Sequence, residues 1–148
     1  MSAWGAGSFE NDAASDWIGD LLESKDASPV RAALNRVKEH DGLKRKRFLG
    51  ICMQRQKQKL PADTAGNGLA AAEIVAARFG HPPPKLPNGV AEWLEQHSSL
   101  FEPELVVIAR QAVNKIKTDS ELQQLWEEGD ARQWHNAVTD LEQRLTNL

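Results

Sequence analysis

The sequence predicts an all-α protein, a compact bundle of about six or seven helices with an extended N-terminal lead-in packed across it. Two observations lead there. Apolar residues recur at helical spacing along most of the chain, punctuated by capping residues, prolines and glycines. Alternating β-branched runs bounded by turns are missing, tyrosine is absent, and alanine, leucine, glutamate and glutamine dominate. With 148 residues, 41% of them hydrophobic, the chain can form one domain over 1–148 around a continuous core.

The elements follow in order. The first dozen residues read as a lead-in, with Gly5 and Gly7 permitting unusual backbone angles and Trp4 and Phe9 as apolar anchors. Asn11 or Asp12 caps a first helix over 12–23, with Trp17, Ile18, Leu21 and Leu22 on one face and Asp12, Asp16 and Asp20 on the other. Ser28-Pro29 opens a second helix that runs to Glu39, and His40-Asp41-Gly42 ends it. A third helix is expected over 43–58, then a loop over 62–68. The stretch 69–79 is hydrophobic nearly all round, which places it in the middle of the bundle, with Gly80 as its C-cap.

Four prolines between 82 and 87 make a stiff crossing. Asn88 then caps a short helix bearing Val90, Trp93 and Leu94, and Pro103 opens another with a broad apolar stripe from Leu105 to Ile116. Thr118 and Glu121 fit a capping box before Leu122, Leu125 and Trp126. Gly129-Asp130 breaks and recaps the chain. The last helix, 131–145, spaces Trp134, Val138, Leu141 and Leu145 by four, three and four.

Charge is segregated. The formal net charge is only -3, but Leu43 to Lys59 holds seven cations and no acid: Lys44, Arg45, Lys46, Arg47, Arg55, Lys57 and Lys59. The remainder of the chain then carries -10, a basic patch on an acidic body. The single cysteine, Cys52, precludes an internal disulfide and suits a reducing compartment. Neither a secretory signal nor a run of about 20 apolar residues is evident, so no transmembrane segment and a cytoplasmic location are expected.

The opening stretch carries a resemblance. Trp4, Gly5, Gly7, Phe9, Asn11, Asp12, Ala14, Asp16 and Trp17 follow a Trp-Gly-x-Gly-x-Phe-x-Asn-Asp-x-Ala-x-Asp-Trp pattern. That pattern resembles the start of an uncharacterised bacterial family, domain of unknown function 4259. The stretch 70–77 (Ala-Ala-Ala-Glu-Ile-Val-Ala-Ala) and the Asp119-Ser120-Glu121-Leu122 segment with Leu125-Trp126 are also similar to it. The resemblance implies a compact helical fold and supplies no activity. It also implies a short link into the Ala-Ala-Ala-Glu helix, so the basic segment 43–59 reads as an insertion relative to the family.

Two candidate sites emerge. Glu73 lies inside an otherwise apolar helix, so its carboxylate must be paired, hydrogen-bonded or protonated. A functional reading groups it with Asn11, Asp12 and Asp16 as a general base or ligand-binding cluster. A structural reading has it accept hydrogen bonds from backbone amides, for instance in the glycine-bearing lead-in, and leaves Asn11 as a cap and the aspartates solvated. The second candidate is the cationic segment, either an electrostatic patch for a partner or a solvated face paired with the protein's own acids. Phe48 is its one aromatic, a thin platform for stacking on a base.

Other chemistry has little support. Gly5 and Gly7 do not form a phosphate loop, the four histidines are scattered, and no Gly-x-Ser-x-Gly elbow occurs. Cys52 reads as a small core residue. No catalytic residue, metal or cofactor is therefore expected, and the balance leans away from an enzyme. The expected role is a small regulatory or immunity-type interaction protein that binds a macromolecule, preferably a protein. The alternatives are nucleic-acid binding through 43–59 and an enzyme or small-ligand binder built on Glu73. Oligomeric state is left open.

Overall fold

The computed structural model describes residues 3, 5–48 and 51–148, with side chains described in the same ranges apart from 43–57. Among the described residues the fold is an all-α bundle of seven α-helices, with one two-stranded hairpin inserted after the second helix. Trp4, and the side chains of Phe48, Cys52 and every candidate cation except Lys59, lie outside the described set.

Helix α1 spans Asp12–Glu23 and α2 spans Ser28–Glu39. Asn11 caps α1, its Oδ1 accepting the Ala14 amide at 2.8 Å. At α2 the residue before the helix is Ala27, which offers no side-chain cap; Asp26 Oδ1 accepts the Ser28 amide instead, at 2.9 Å.

The segment expected to be a third helix is an antiparallel hairpin, β1 Leu43–Phe48 and β2 Ile51–Lys57. Phe48 pairs with Ile51, so only residues 49 and 50 separate the strands, and a register shift between Lys44 and Lys46 marks a bulge. The reason is electrostatic as well as conformational. A helix starting at Leu43 would crowd four cations into its first turn, against the positive end of its dipole, and would carry Gly50 in its interior. The base of the hairpin is closed by the Gln58 amide donating to Gly42 O. Gly42 has φ 67°, and a Cβ there would collide with Gln58 O, so the position requires glycine. His40 Nε2 lies 3.1 Å from Gln58 O, and Lys115 Nζ donates to His40 O, which ties this base to the bundle.

Helix α3 spans Ala62–Arg78, so the loop expected over 62–68 is its first two turns. Gly66, Asn67 and Gly68 have poor helix propensity, but tertiary packing overrides it. Gly66 and Gly68 are both buried, and a Cβ on Gly68 would stand 2.5 Å from Val37 Cγ2 and 3.0 Å from Ile116 Cδ1. Small residues therefore let α2 and the fifth helix close on α3. The helix ends as expected at Gly80, φ 97°, where the His81 amide bonds Ala76 O at 2.9 Å and the Gly80 amide bonds Ala77 O at 3.2 Å, a Schellman pattern.

The proline crossing leads to α4, Val90–His97, preceded by Gly89 at φ 85°, so Gly89 and not Asn88 occupies the cap. Trp93 is buried there and its indole N–H donates to Ser24 O at 3.1 Å. After a 3₁₀ turn, Ser98–Leu100, come α5 Glu104–Thr118, α6 Glu121–Glu127 and α7 Arg132–Thr146. The expected Thr118 capping box is not formed. Thr118 ends α5 and donates to Asn114 O, while Ser120 caps α6 by accepting the Gln123 amide at 3.0 Å.

Helix α3 is the hub, packing against α1, α2, α5, α6 and α7. Leu21, Leu34, Ile74, Ile116, Trp134 and Leu141 are among the fully buried residues of the core around it. No helix among the described residues is long and apolar enough to cross a membrane.

Two consequences are measurable. Gly68→Ala is expected to lose about 1–2 kcal/mol despite its better propensity, because Val37 and Ile116 must move. Gly19→Ala, in α1 with open space around it, is expected to gain about 0.5–1 kcal/mol. Chemical denaturation of both variants compares the signs. The hydroxyl and amide of Ser28 hold the exposed Asp26 carboxyl below its usual value. Its stabilisation is therefore present above the unfolded carboxylate range and is lost as pH falls through the lowered folded value. Asp26→Asn should flatten that part of the acid limb, read as melting temperature against pH.

Candidate functional site

Helix α3 carries one acid into the core. Glu73 is 4% exposed among Ala70, Ala71, Ala72, Ile74, Val75 and Ala76, all buried. An ionised carboxylate there needs a counter-charge and hydrogen-bond donors. Both come from outside α3. Arg144 of α7 donates from Nη1 to Glu73 Oε2 at 2.8 Å and from Nη2 to Oε1 at 2.9 Å, a bidentate pair. Ser8 of the lead-in adds its hydroxyl to Oε1 at 3.2 Å.

Arg144 is itself well satisfied. Nη1 also donates to His81 O at 3.0 Å, and Nε donates to Asp140 Oδ2 at 2.8 Å, one turn earlier on α7. Burial works against its charge, but the bonds from Glu73, and then from Asp140, outweigh burial and hold the guanidinium above its ordinary value. The group stays cationic at every working pH. One arginine thus joins α3, α7 and the start of the proline crossing, and through Glu73 the lead-in as well.

The lead-in is shaped for this contact. The Gly7 amide donates to Glu10 Oε2 at 2.7 Å, and the Glu10 amide donates to Gly7 O at 3.1 Å, closing a turn that holds Ser8 over Glu73. Ala3 bridges to Asn11 at its far end, and Phe9 packs partly buried against the core.

The grouping of Asn11, Asp12 and Asp16 with Glu73 is distributed differently in space. Asn11 is buried, caps α1 and faces Gly66, two turns before Glu73 on α3. Asp12 and Asp16 are exposed on α1. Of the four, only Glu73 meets Arg144 and Ser8. Of the cationic set, Lys59 is described, and it is exposed.

Sequence reasoning missed Ser8, Asp140 and Arg144. Arg144 did leave a signal. It falls three residues after Leu141 and one before Leu145, at the border of α7's buried stripe, and four after Asp140. A cation at that position is a candidate partner for a buried acid elsewhere.

A cavity of about 620 Å³ opens beside the pair. Ser8, Phe9 and Glu10 bound one side, the proline crossing another, and Ala137, Asp140 and Arg144 of α7 a third. Among the described residues no group of three or more histidine, cysteine, aspartate or glutamate side chains is arranged to hold a metal.

These features define a class of protein: a helical bundle whose glycine-bearing lead-in closes over a buried carboxylate of its central helix. The chain belongs to the family described as Domain of unknown function (DUF4259), which matches residues 2–137. No curated protein and no solved structure matches it. The family match ends before Asp140 and Arg144.

Removing one partner strands the other's charge in the core. Glu73→Leu or Arg144→Met alone should cost about 3–5 kcal/mol. The double variant should cost clearly less than the sum, because no buried charge is left uncompensated. Urea denaturation of the four proteins gives the coupling; strictly additive losses would mean the two residues act independently.

Proposed function

We propose that this protein is a non-enzymatic interaction protein of the bacterial cytoplasm that binds an acidic protein partner through the hairpin segment 43–59. The observation that carries the reading is one of placement. Seven cations and no acid occupy or border a two-stranded hairpin. Among the described residues neither strand packs extensively on any helix. Each strand of a two-stranded sheet keeps one edge outside the pairing, and such an edge accepts another chain's strand.

Charge favours a protein over a nucleic acid. The remainder of the chain carries -10, which repels an extended polyanion, whereas a local acidic patch on a protein can match the hairpin alone. The bonding of Glu73 supports the non-enzymatic part of the reading, since Arg144 and Ser8 take up the carboxylate.

Affinity capture of the tagged full-length chain from its native lysate, with and without nuclease, tests the reading. One dominant acidic protein should survive nuclease. It should be lost on raising salt, and lost when Lys44, Arg45, Lys46 and Arg47 are all changed to glutamine. A diffuse set removed by nuclease would replace this reading with nucleic-acid binding. Capture unaffected by the four substitutions would reject the hairpin as the contact.

A further inference from the structure

The cavity beside the Glu73–Arg144 pair has the size of a small-molecule site, about 620 Å³ against the usual range of about 300–1,000 Å³. One wall is apolar and stiff. Phe9 and Ala137 face it together with Pro83, Pro84 and Pro87 of the crossing. Proline fixes its own φ, so this wall needs little ordering to receive a ligand.

Two carboxylates border the same space, and each is aimed by the protein. The Gly7 amide holds Glu10 through Oε2 at 2.7 Å, and Arg144 Nε holds Asp140 through Oδ2 at 2.8 Å. In each case the second oxygen takes no part in that bond. The positive charge at the floor is already answered, because Arg144 is bound bidentately by Glu73. The charged residues of the lining are therefore Glu10, Glu73 and Asp140 against Lys85 and Arg144, one net negative charge.

An apolar wall with a phenyl ring, fixed acceptors and a negative balance together select one ligand chemistry. We infer that this cavity binds a small organic cation, a primary ammonium on a compact apolar body. The ammonium pairs with the second carboxylate oxygen of Glu10 or of Asp140, and the body lies against Phe9 and the prolines. A carboxylate ligand of the same shape meets the wrong charge, and a neutral one gains only the wall. This site is separate from the hairpin and does not depend on what the hairpin binds.

The test uses three probes of one shape on the full-length protein: 2-phenylethylammonium, 2-phenylethanol and 3-phenylpropionate. Binding is followed by amide chemical shifts and calorimetry. The ammonium should bind with a Kd of about 1 mM, as suits so few atoms, and about tenfold more tightly than the alcohol. The propionate should bind more weakly than either. Shifts should centre on Phe9, Leu86 and Ala137. Glu10→Gln with Asp140→Asn should erase the preference for the cation.

Asp140 also braces Arg144, so that pair of changes carries a folding risk. Ala137→Leu fills the cavity without touching a charge, and it should abolish binding of both ammonium and alcohol. The inference is overturned if the ammonium does not bind, if it binds no better than the alcohol, or if Ala137→Leu leaves its affinity unchanged.

Discussion

A carboxylate in the most enclosed helix of a bundle sets conditions that the neighbouring segments must meet. Glu73 sits where α3 is surrounded by alanine, isoleucine and valine, and its side chain is almost wholly withdrawn from water. The cost of burying that charge is offset only if a cation and further donors arrive together. Arg144 supplies two bonds and Ser8 a third, so α7 and the lead-in are held against α3 by one group. The arginine's remaining bonds reach His81 O and Asp140, which recruits the start of the proline crossing to the same point. An apolar contact in that place would bury as much area but would tolerate sliding. The bidentate pair admits one angle and one distance.

The small residues of α3 make the other half of this arrangement. Gly68 lets Val37 and Ile116 approach the helix backbone, and Gly66 does the same for Asn11. Close approach brings α1, α2 and α5 into one core around α3. It also sets the position of the first turn of α1, and with it the lead-in that carries Ser8. The cavity follows from these constraints. The lead-in, the crossing and α7 all converge on the Glu73–Arg144 pair, and stiff proline backbone together with the small Ala137 leaves room beside it.

The hairpin stands in a different relation to the bundle. Its base is tied by Gly42, Gln58, His40 and Lys115, and Leu60 then returns the chain to the core, where its carbonyl accepts the Glu121 amide at 2.8 Å. The strands between are paired with one another. Their charge is opposite to that of the rest of the chain, and their attachment is local. Substitutions there can therefore alter the charge of the segment with little consequence for α3 and its partners.

Much of this was written in the local pattern. Helix α1 begins and ends where its cap and apolar stripe place it, Gly80 closes α3, and α7 follows the spacing of Trp134, Val138, Leu141 and Leu145. Glu73 was recognisable as a residue in need of a partner. These features depend on neighbours within a turn or two, and periodicity carries them. Three other features were decided by tertiary structure. Residues 62–68 are helical because Gly66 and Gly68 fit under α1, α2 and α5, a reward that propensity does not contain. Leu43–Phe48 and Ile51–Lys57 are strands because four adjacent cations and a central glycine make a poor helix, and cross-strand pairing supplies the alternative. Arg144 is the partner of Glu73 because folding brings together two positions 71 residues apart. The sequence by itself determined the class, the buried acid and the segregated charge, since each is a property of short stretches. Which cation meets the acid, and which open space lies beside them, depends on distances between helices, and those exist only once the bundle has closed.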